Sequence, residues 1–300
     1  MTGVSLPEPQ IIFDTELLKQ RKDRCAARGD APDFLLVRVA EDIAERLQIV
    51  RRAFPVAACL GALNGELGRR LRTLSGVGTV VDVESSAGLL ALCDGPRVLA
   101  DEEALAFADG ALDLAVSGLT LQLVNDLPGT LVQIRRALKP DGLFLGALLG
   151  GETLKELREA WLIAESEIEG GASPRVAPFA DVCDLGDLLQ RAGLALPVVD
   201  SERLTVTYAS PLALMREIKA MGASNMLVAR RRKPVTRRLL FRAAEVYAER
   251  FGLPDGRVPA TFEILVVTAW APHDSQQKPL RPGSARTRLA EALGVKEHKP

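Results

Sequence analysis

The chain has 300 residues, 47% of them hydrophobic and 26% charged, with a formal net charge of -1. That balance suits a globular protein large enough to bury a sizeable core, and it argues against broad nucleic-acid binding, which needs a surplus of Lys and Arg. No apolar run approaches ~20 residues, so no membrane span is expected. The opening MTGVSLPEPQ carries neither an apolar secretory core nor an Arg-rich amphipathic pattern, and a cytoplasmic location follows as the expectation.

Residues 1–53 read as a helical segment, with Ile43, Leu47 and Val50 spaced to face inward. Short apolar runs separated by turns follow, predicting strands at 55–60, 78–83, 97–100, 112–117 and 142–149. Strands that alternate with helical or loop stretches predict an α/β domain with a mostly parallel sheet. The stretch from Leu112 to Ala160 reads as strand, helix, turn, strand and helix, one right-handed crossover of such a sheet. Within it, Asp126 can cap a helix that tolerates Pro128 in its first turn and aligns Leu127, Leu131, Ile134 and Leu138 on one face. Pro140-Asp141-Gly142 reads as the turn that ends it.

A further helix places Leu154, Leu157, Trp161 and Ile168 together and closes at Gly170-Gly171, and another spans about 181–192. Residues 203–208 alternate as a strand. Ser210-Pro211 opens a helix with Leu214, Ile218 and Met221 on one side. The basic run Arg230-Arg231-Arg232-Lys233 leads into a long helix through Tyr247, and 262–270 is the last strand. After Pro272 the sequence reads as a mobile tail with a short helix at 284–293. Cys25, Cys59, Cys93 and Cys183 are scattered and form no CxxC pair, so neither disulfides nor a zinc site is expected. The two histidines, His273 and His298, lie near the C-terminus and are too few for a histidine-based metal site, so no metal is expected.

The phrase ADEEALAFADGALDLAVSGLTLQLVNDLP at 100–128, followed by LKPDG at 138–142, resembles class I S-adenosylmethionine (SAM)-dependent methyltransferases. Residues 146–194, MREIKAMGASN at 215–225, LPDGRVPATFEIL at 253–265 and IFDTELLKQRKDRCA at 12–26 are similar to the complex I assembly factor 5 group. Malonyl-acyl-carrier-protein methyltransferases are more distant members. The resemblance implies a Rossmann-like class I methyltransferase sheet, mostly parallel with its last strand antiparallel, and a helical cap. The implied division is a domain over 54–272, with cap insertions at about 152–170 and 210–250 and a tail at 273–300. It further implies SAM as cofactor and a protein substrate in respiratory complex I assembly. Alternatives are an arginine hydroxylase of a complex I subunit, a malonyl-carrier-protein methyltransferase and a non-catalytic assembly chaperone. The partner would then be a protein client or an acyl carrier protein, which the basic run 230–233 could attract, unless that run is a solvated loop.

Methyl transfer asks the protein to bind the cofactor, orient a nucleophile and exclude water, and it needs no conspicuous triad. No catalytic residue can be assigned from the sequence. The family's first loop reads approximately Asp-Leu-Gly-Cys-Gly-x-Gly. Here Gly61 and Gly65 persist, Leu63 takes the middle glycine and Cys59 the acidic position. If position 63 needs positive φ, leucine costs roughly 1–2 kcal/mol in backbone strain, which predicts weakened cofactor affinity. Asp82 ends the second strand as the expected ribose acceptor, with Glu84 as the fallback. Asp101 and Glu102 sit where the family contacts adenine, and Ser117 and Gln122 follow strand four at the edge where α/β sheets place their sites. Gln122-Leu123 replaces the group's usual His-Trp. Asn125 and Asp126 read as helix caps, and Trp161 as core or lid packing.

Overall fold

The computed structural model describes residues 11–29, 31–277 and the single positions 284, 287 and 294. The expected helix at 284–293 and the mobile tail to Pro300 lie outside the described residues. Aliphatic runs between turns become β1 (Phe54–Leu60), β2 (Val77–Glu84), β3 (Arg97–Leu99), β4 (Leu112–Gly118) and β5 (Leu138–Leu149), which pair in parallel. β7 (Val258–Trp270) joins β5 antiparallel, and β6 (Ala195–Tyr208) pairs antiparallel with β7 at the edge. The strand order is β3-β2-β1-β4-β5-β7-β6. It reverses between β1 and β4, the kind of switch point at which α/β sheets bind ligands beyond their carboxyl ends.

Helices α1 (Thr15–Arg28), α2 (Phe34–Ile49), α3 (Glu66–Arg72), α4 (Ala87–Leu90), α5 (Leu127–Ala137), α6 (Lys155–Glu169), α7 (Val182–Arg191), α8 (Pro211–Ala220) and α9 (Arg237–Phe251) surround the sheet. Two apolar cores form on its opposite faces. One joins α2, α3, α6 and α9 to the sheet through Ile43, Leu71, Trp161 and Tyr247. The other joins α5 and α7 through Leu131, Ile134, Leu185 and Leu189. The stripe expected on α5 is therefore the face it buries, and Asp126 caps it by accepting the Gly129 N–H at 2.8 Å. Among the described residues no helix is long and apolar enough to cross a membrane.

Two boundaries differ from the sequence reading. The KPDG turn belongs to β5 itself, where Asp141 takes φ +63 and the β4 pairing shifts register. Aspartate tolerates that left-handed angle because its short side chain can bond locally. β6 begins at Ala195, well before 203, because an edge strand accepts Pro197, Asp200 and Glu202 on a side open to water.

β5 ends at Leu149, paired with Ile264, so residues 258–263 of β7 and their β6 partners run on past the carboxyl edge. α6 and α9 pack on each other and on this extension. Glu156 accepts the Thr261 hydroxyl at 2.5 Å, and Tyr247 donates to the Pro259 carbonyl at 2.7 Å.

Candidate cofactor site

The chain leaving β1 takes the left-handed region at alternate residues: Gly61 at φ +66, Leu63 at +50 and Gly65 at +81. Gly61 is obligatory, since a Cβ there would lie 2.2 Å from the Thr120 hydroxyl oxygen. Leu63 keeps the conformation that glycine adopts freely, at the backbone cost expected above. Two bonds hang the loop on the end of β2. The Ala62 N–H donates to the Val83 carbonyl and the Leu63 N–H to Glu84 Oε2, each at 2.9 Å.

Asp82 and Glu84 lie two residues apart and so share one face of β2. Asp82 does not reach the loop. It is wholly buried over Gly68 of α3, where a Cβ would meet its Oδ1 at 2.2 Å, and it accepts from Arg72 at 2.5 Å. Burial raises its pKa against the pull of Arg72. Asp82 Oδ1 and one Arg72 guanidinium nitrogen have no hydrogen-bond partner among the described residues. Glu84, the last residue of the strand, faces the loop instead and also accepts the Ser85 and Ser86 N–H groups at 2.9 and 3.1 Å. Cys59, in register with Asp82, is sealed in the core, and burial beside that carboxylate pushes its thiol well up.

A residue that the sequence reading passed over completes the site. Lys22 of α1 is buried with its ammonium 2.7 Å from Glu84 and 3.1 Å from Glu102. Burial alone would lower the Lys22 pKa, but the two carboxylates overcome it and raise the pKa instead. Glu102 is pushed up by burial and by the nearby Glu84 charge, which Lys22 only partly offsets. Asp101 pairs with Lys19 at 3.0 Å, and its pKa is lowered because the Glu103 N–H and Lys19 outweigh burial. Lys19, Lys22, Asp101 and Glu102 border a cavity of about 20 Å³, walled on one side by Thr15 and Leu18.

At the end of β4, the buried Ser117 hydroxyl bonds Thr120 Oγ1 at 3.0 Å and so braces the residue pressed on Gly61. Gln122 donates to the Leu119 carbonyl at 2.7 Å, while its Oε1 is buried with no partner among the described residues. Asn125 is no helix cap. It accepts the Ile12 and Phe13 N–H groups at 2.8 Å and clamps the chain entering α1. The basic run is half neutralised internally, with Arg230 on Asp14 and Arg231 on Glu169. Gly61, Leu63, Glu84, Glu102, Asp101, Ser117 and Thr120 thus gather at one edge, and Asp82 does not join them. Only contacts across long sequence separations bring in Lys22 and Asn125.

Residues 58–146 match the family model of a methyltransferase domain. Two bacterial structures share the fold, each with a TM-score of 0.55. One is a methyltransferase-class protein of Bacillus halodurans, 14% identical over 77% of this chain and 98% of that one. The other is YcgJ of Bacillus subtilis, 13% identical over 79% and 99%. Sheet order, glycine loop and strand-end acid together define a class I, Rossmann-like methyltransferase fold. Among sequence relatives, the zebrafish arginine-hydroxylase NDUFAF5, mitochondrial, is 39% identical over 93% of this chain and 89% of its own length. The human protein of the same name is 40% identical over 96% and 85%. A malonyl-[acyl-carrier protein] O-methyltransferase of Halorhodospira halophila is 36% identical over 91% and 94%.

The chain belongs to the NDUFAF5 family. The expectation of a cytoplasmic protein is overturned by these names, several of which specify the mitochondrion. Composition could not have decided it, because the same balance of charge and core serves any aqueous compartment.

Proposed function

We propose that this chain binds SAM at the carboxyl edge of β1, β2 and β4 and modifies a protein client in respiratory complex I assembly. The observation that carries the cofactor assignment is the loop: with leucine at its centre it still adopts the three left-handed angles and still hangs from the strand-end acid. Gly61, Leu63 and Gly65 would bring backbone close to the ligand. Glu84, rather than Asp82, would accept the ribose hydroxyls, with Asp101 and Glu102 on the adenine side and the Ser117–Thr120 pair bracing the loop. When bound, SAM supplies an electrophilic methyl group. The protein's share is to hold the acceptor in line and keep water out. In this reading, residues 152–170 and 210–250 are cap insertions of a domain over 54–272, and they wall a client chamber beside the β6–β7 extension.

Arginine hydroxylation is the second reading, favoured by 39–40% identity across almost the whole chain to relatives so named. An acyl carrier partner has less support, because Arg230 and Arg231 already hold internal carboxylates. Calorimetry with SAM tests the cofactor. Mass spectrometry of complex I subunits co-expressed with the protein then separates an added methyl from an added oxygen. No SAM binding, with no modified residue, would leave the chaperone reading in place of both.

A further inference from the structure

We infer that the outer face of α9 is a self-association surface: a second copy of this chain docks there antiparallel, across a two-fold axis at Phe241. The inference is independent of the cofactor reading and holds whatever the chain modifies. Residues four apart lie one above another on a helix, and on α9 the row Arg237, Phe241, Glu245 and Glu249 is exposed throughout. Phe241, inside this row, leaves 52% of its surface open. Its ring is only half covered, while Leu239, Ala243, Val246 and Tyr247 pack into the core on the opposite face of the helix.

The charges on this row run against the helix. A helix carries partial positive charge at its N-terminus and partial negative charge at its C-terminus, so cations in the first turn and acids in the last are unfavourable. α9 has Arg237 and Arg238 as its first two residues, no acid in its first turn, and Glu249 in its last. Among the described residues, Arg237 and Arg238 have no ion-pair partner. Arg250, the last-turn cation, is taken by Glu159 at 2.7 Å. Arg242 is held chiefly by Glu167 at 2.7 Å, which leaves Glu245 and Glu249 with contacts of 3.4 and 3.3 Å to a guanidinium already neutralised. Exposed pairs of that kind are weak and exchange readily, because water and salt compete for them.

An antiparallel second α9 corrects both ends at once. With Phe241 on the axis, symmetry sets residue 237 of each copy opposite residue 245 of the other, about 6 Å along the helix on either side. Arg237 of each copy then meets the other's Glu245, so the complementary pair forms twice. A groove of about 440 Å³ beside the ring, lined in part by Ile168, Arg238 and Phe241, receives the ring of the second copy. A uniformly acidic or basic partner would match one end of this face and be repelled at the other. The face's own sequence, reversed, matches both. Two helix faces bury an area at the low end of specific interfaces, so the dimer is reversible, with a dissociation constant on the order of 10 μM.

The test is sedimentation equilibrium of the full-length protein from ~1 to ~200 μM, a range that brackets that constant. Wild type should pass from monomer to dimer, less readily at high salt. Phe241→Ser, Arg237→Glu and Glu245→Arg should each weaken dimerisation by about tenfold or more. The decisive measurement mixes the two charge variants. Arg237→Glu puts acids at both positions and Glu245→Arg puts cations at both. Each variant repels its own kind, whereas together they pair at both positions, so an equimolar mixture should recover dimer near wild-type strength. Adding Phe241→Ser to both should abolish that recovery, which separates docking from bulk attraction between oppositely charged proteins. A wild type that stays monomeric across the range overturns the proposal, as does a dimer left unchanged by Phe241→Ser, since it uses another face. A dimer that depends on Phe241 but does not recover when the charge variants are mixed overturns the antiparallel pairing. If Phe241→Ser does not fold, the mixture decides alone: recovery supports the proposal and its absence overturns it.

Discussion

α1 and the α6–α9 pair both lie at the carboxyl side of the sheet, yet they are fastened there by opposite chemistry. α6 and α9 bury Leu157, Trp161, Leu239, Val246 and Tyr247 against the extension of β7. The buried residues of α1 are Lys22 and Cys25. Its hold comes from ion pairs and clamps: Lys22 on two carboxylates, Lys19 on Asp101, Asp23 on Ser86 and Asn125 on the chain before it. An apolar seam gains nothing from water or from a polar ligand, so it stays shut. A charged seam can exchange one set of partners for another at modest net cost. The difference makes the α6–α9 seam insensitive to charge and the seat of α1 dependent on it.

The largest expected effect falls on the apolar seam. Trp161 is buried on α6 with the Arg175 guanidinium 4.7 Å from its ring centre. Trp161→Ala should lower the unfolding free energy by about 3–5 kcal/mol, the range for deleting a large buried aromatic. Urea denaturation measures it. The fraction still folded should bind SAM with unchanged affinity, and a large loss of affinity would break the division between the two seams. Next in size is Glu84→Ala, which removes the loop's anchor and the proposed ribose acceptor together. Hydrogen bonds to charged groups are each worth about 1.5–3 kcal/mol, so binding should weaken by roughly a hundredfold in calorimetry. Asp82→Ala should instead strand Arg72 and lower the melting temperature, leaving the dissociation constant close to that of wild type.

That contrast between two acids on one strand also shows what the sequence could and could not disclose. β1 to β5, the α5 stripe and β7 as a strand were legible because strand alternation, capping and helical spacing are local, whereas the antiparallel setting of β7 came only from the family resemblance. Asp82 and Glu84 share a face, and the choice between them depends on where β2 stops and on Gly68 leaving room beneath Asp82, neither of which a pattern states. Lys22 meets Glu84 and Glu102 across 62 and 80 residues of chain, and Asn125 meets Phe13 across 112. A lysine on an amphipathic helix reads as solvated, since buried lysine is rare without a partner. Position 63 is the intermediate case. The family motif raised a left-handed angle at this position only as a condition, and the structure has Leu63 at φ +50.

Leu63→Gly should therefore act on stability more than on affinity. Leu63 has φ +50, a strain carried by the folded chain itself. Relief of roughly 1–2 kcal/mol of backbone strain is offset by the extra freedom glycine brings to the unfolded chain, about 0.5–1 kcal/mol. A net gain of about 1 kcal/mol should appear as a higher melting temperature, with the SAM dissociation constant nearly unchanged. Tighter binding without added stability would show that the leucine side chain itself obstructs the ligand.

The smallest effect is a pH dependence, and it sharpens the account of α1. Glu102 has a folded pKa above its ordinary value of 4.5, chiefly because it is buried and close to Glu84. The folded state therefore binds more protons at this site than the unfolded state does, and stability falls as pH rises from about 4.5 through the folded value. Lys22, with its pKa raised, stays charged throughout this window and does not contribute to the slope. Glu102→Gln removes the titration but keeps the shape. Its melting temperature should match wild type at acid pH and exceed it once Glu102 ionises, in parallel thermal scans from ~pH 4 to ~pH 8. Carboxylates remote from this cluster titrate equally in both proteins and cancel in the difference. A variant that is less stable than wild type at neutral pH would mean that the Glu102–Lys22 pair stabilises α1 by more than the burial of the Glu102 charge costs.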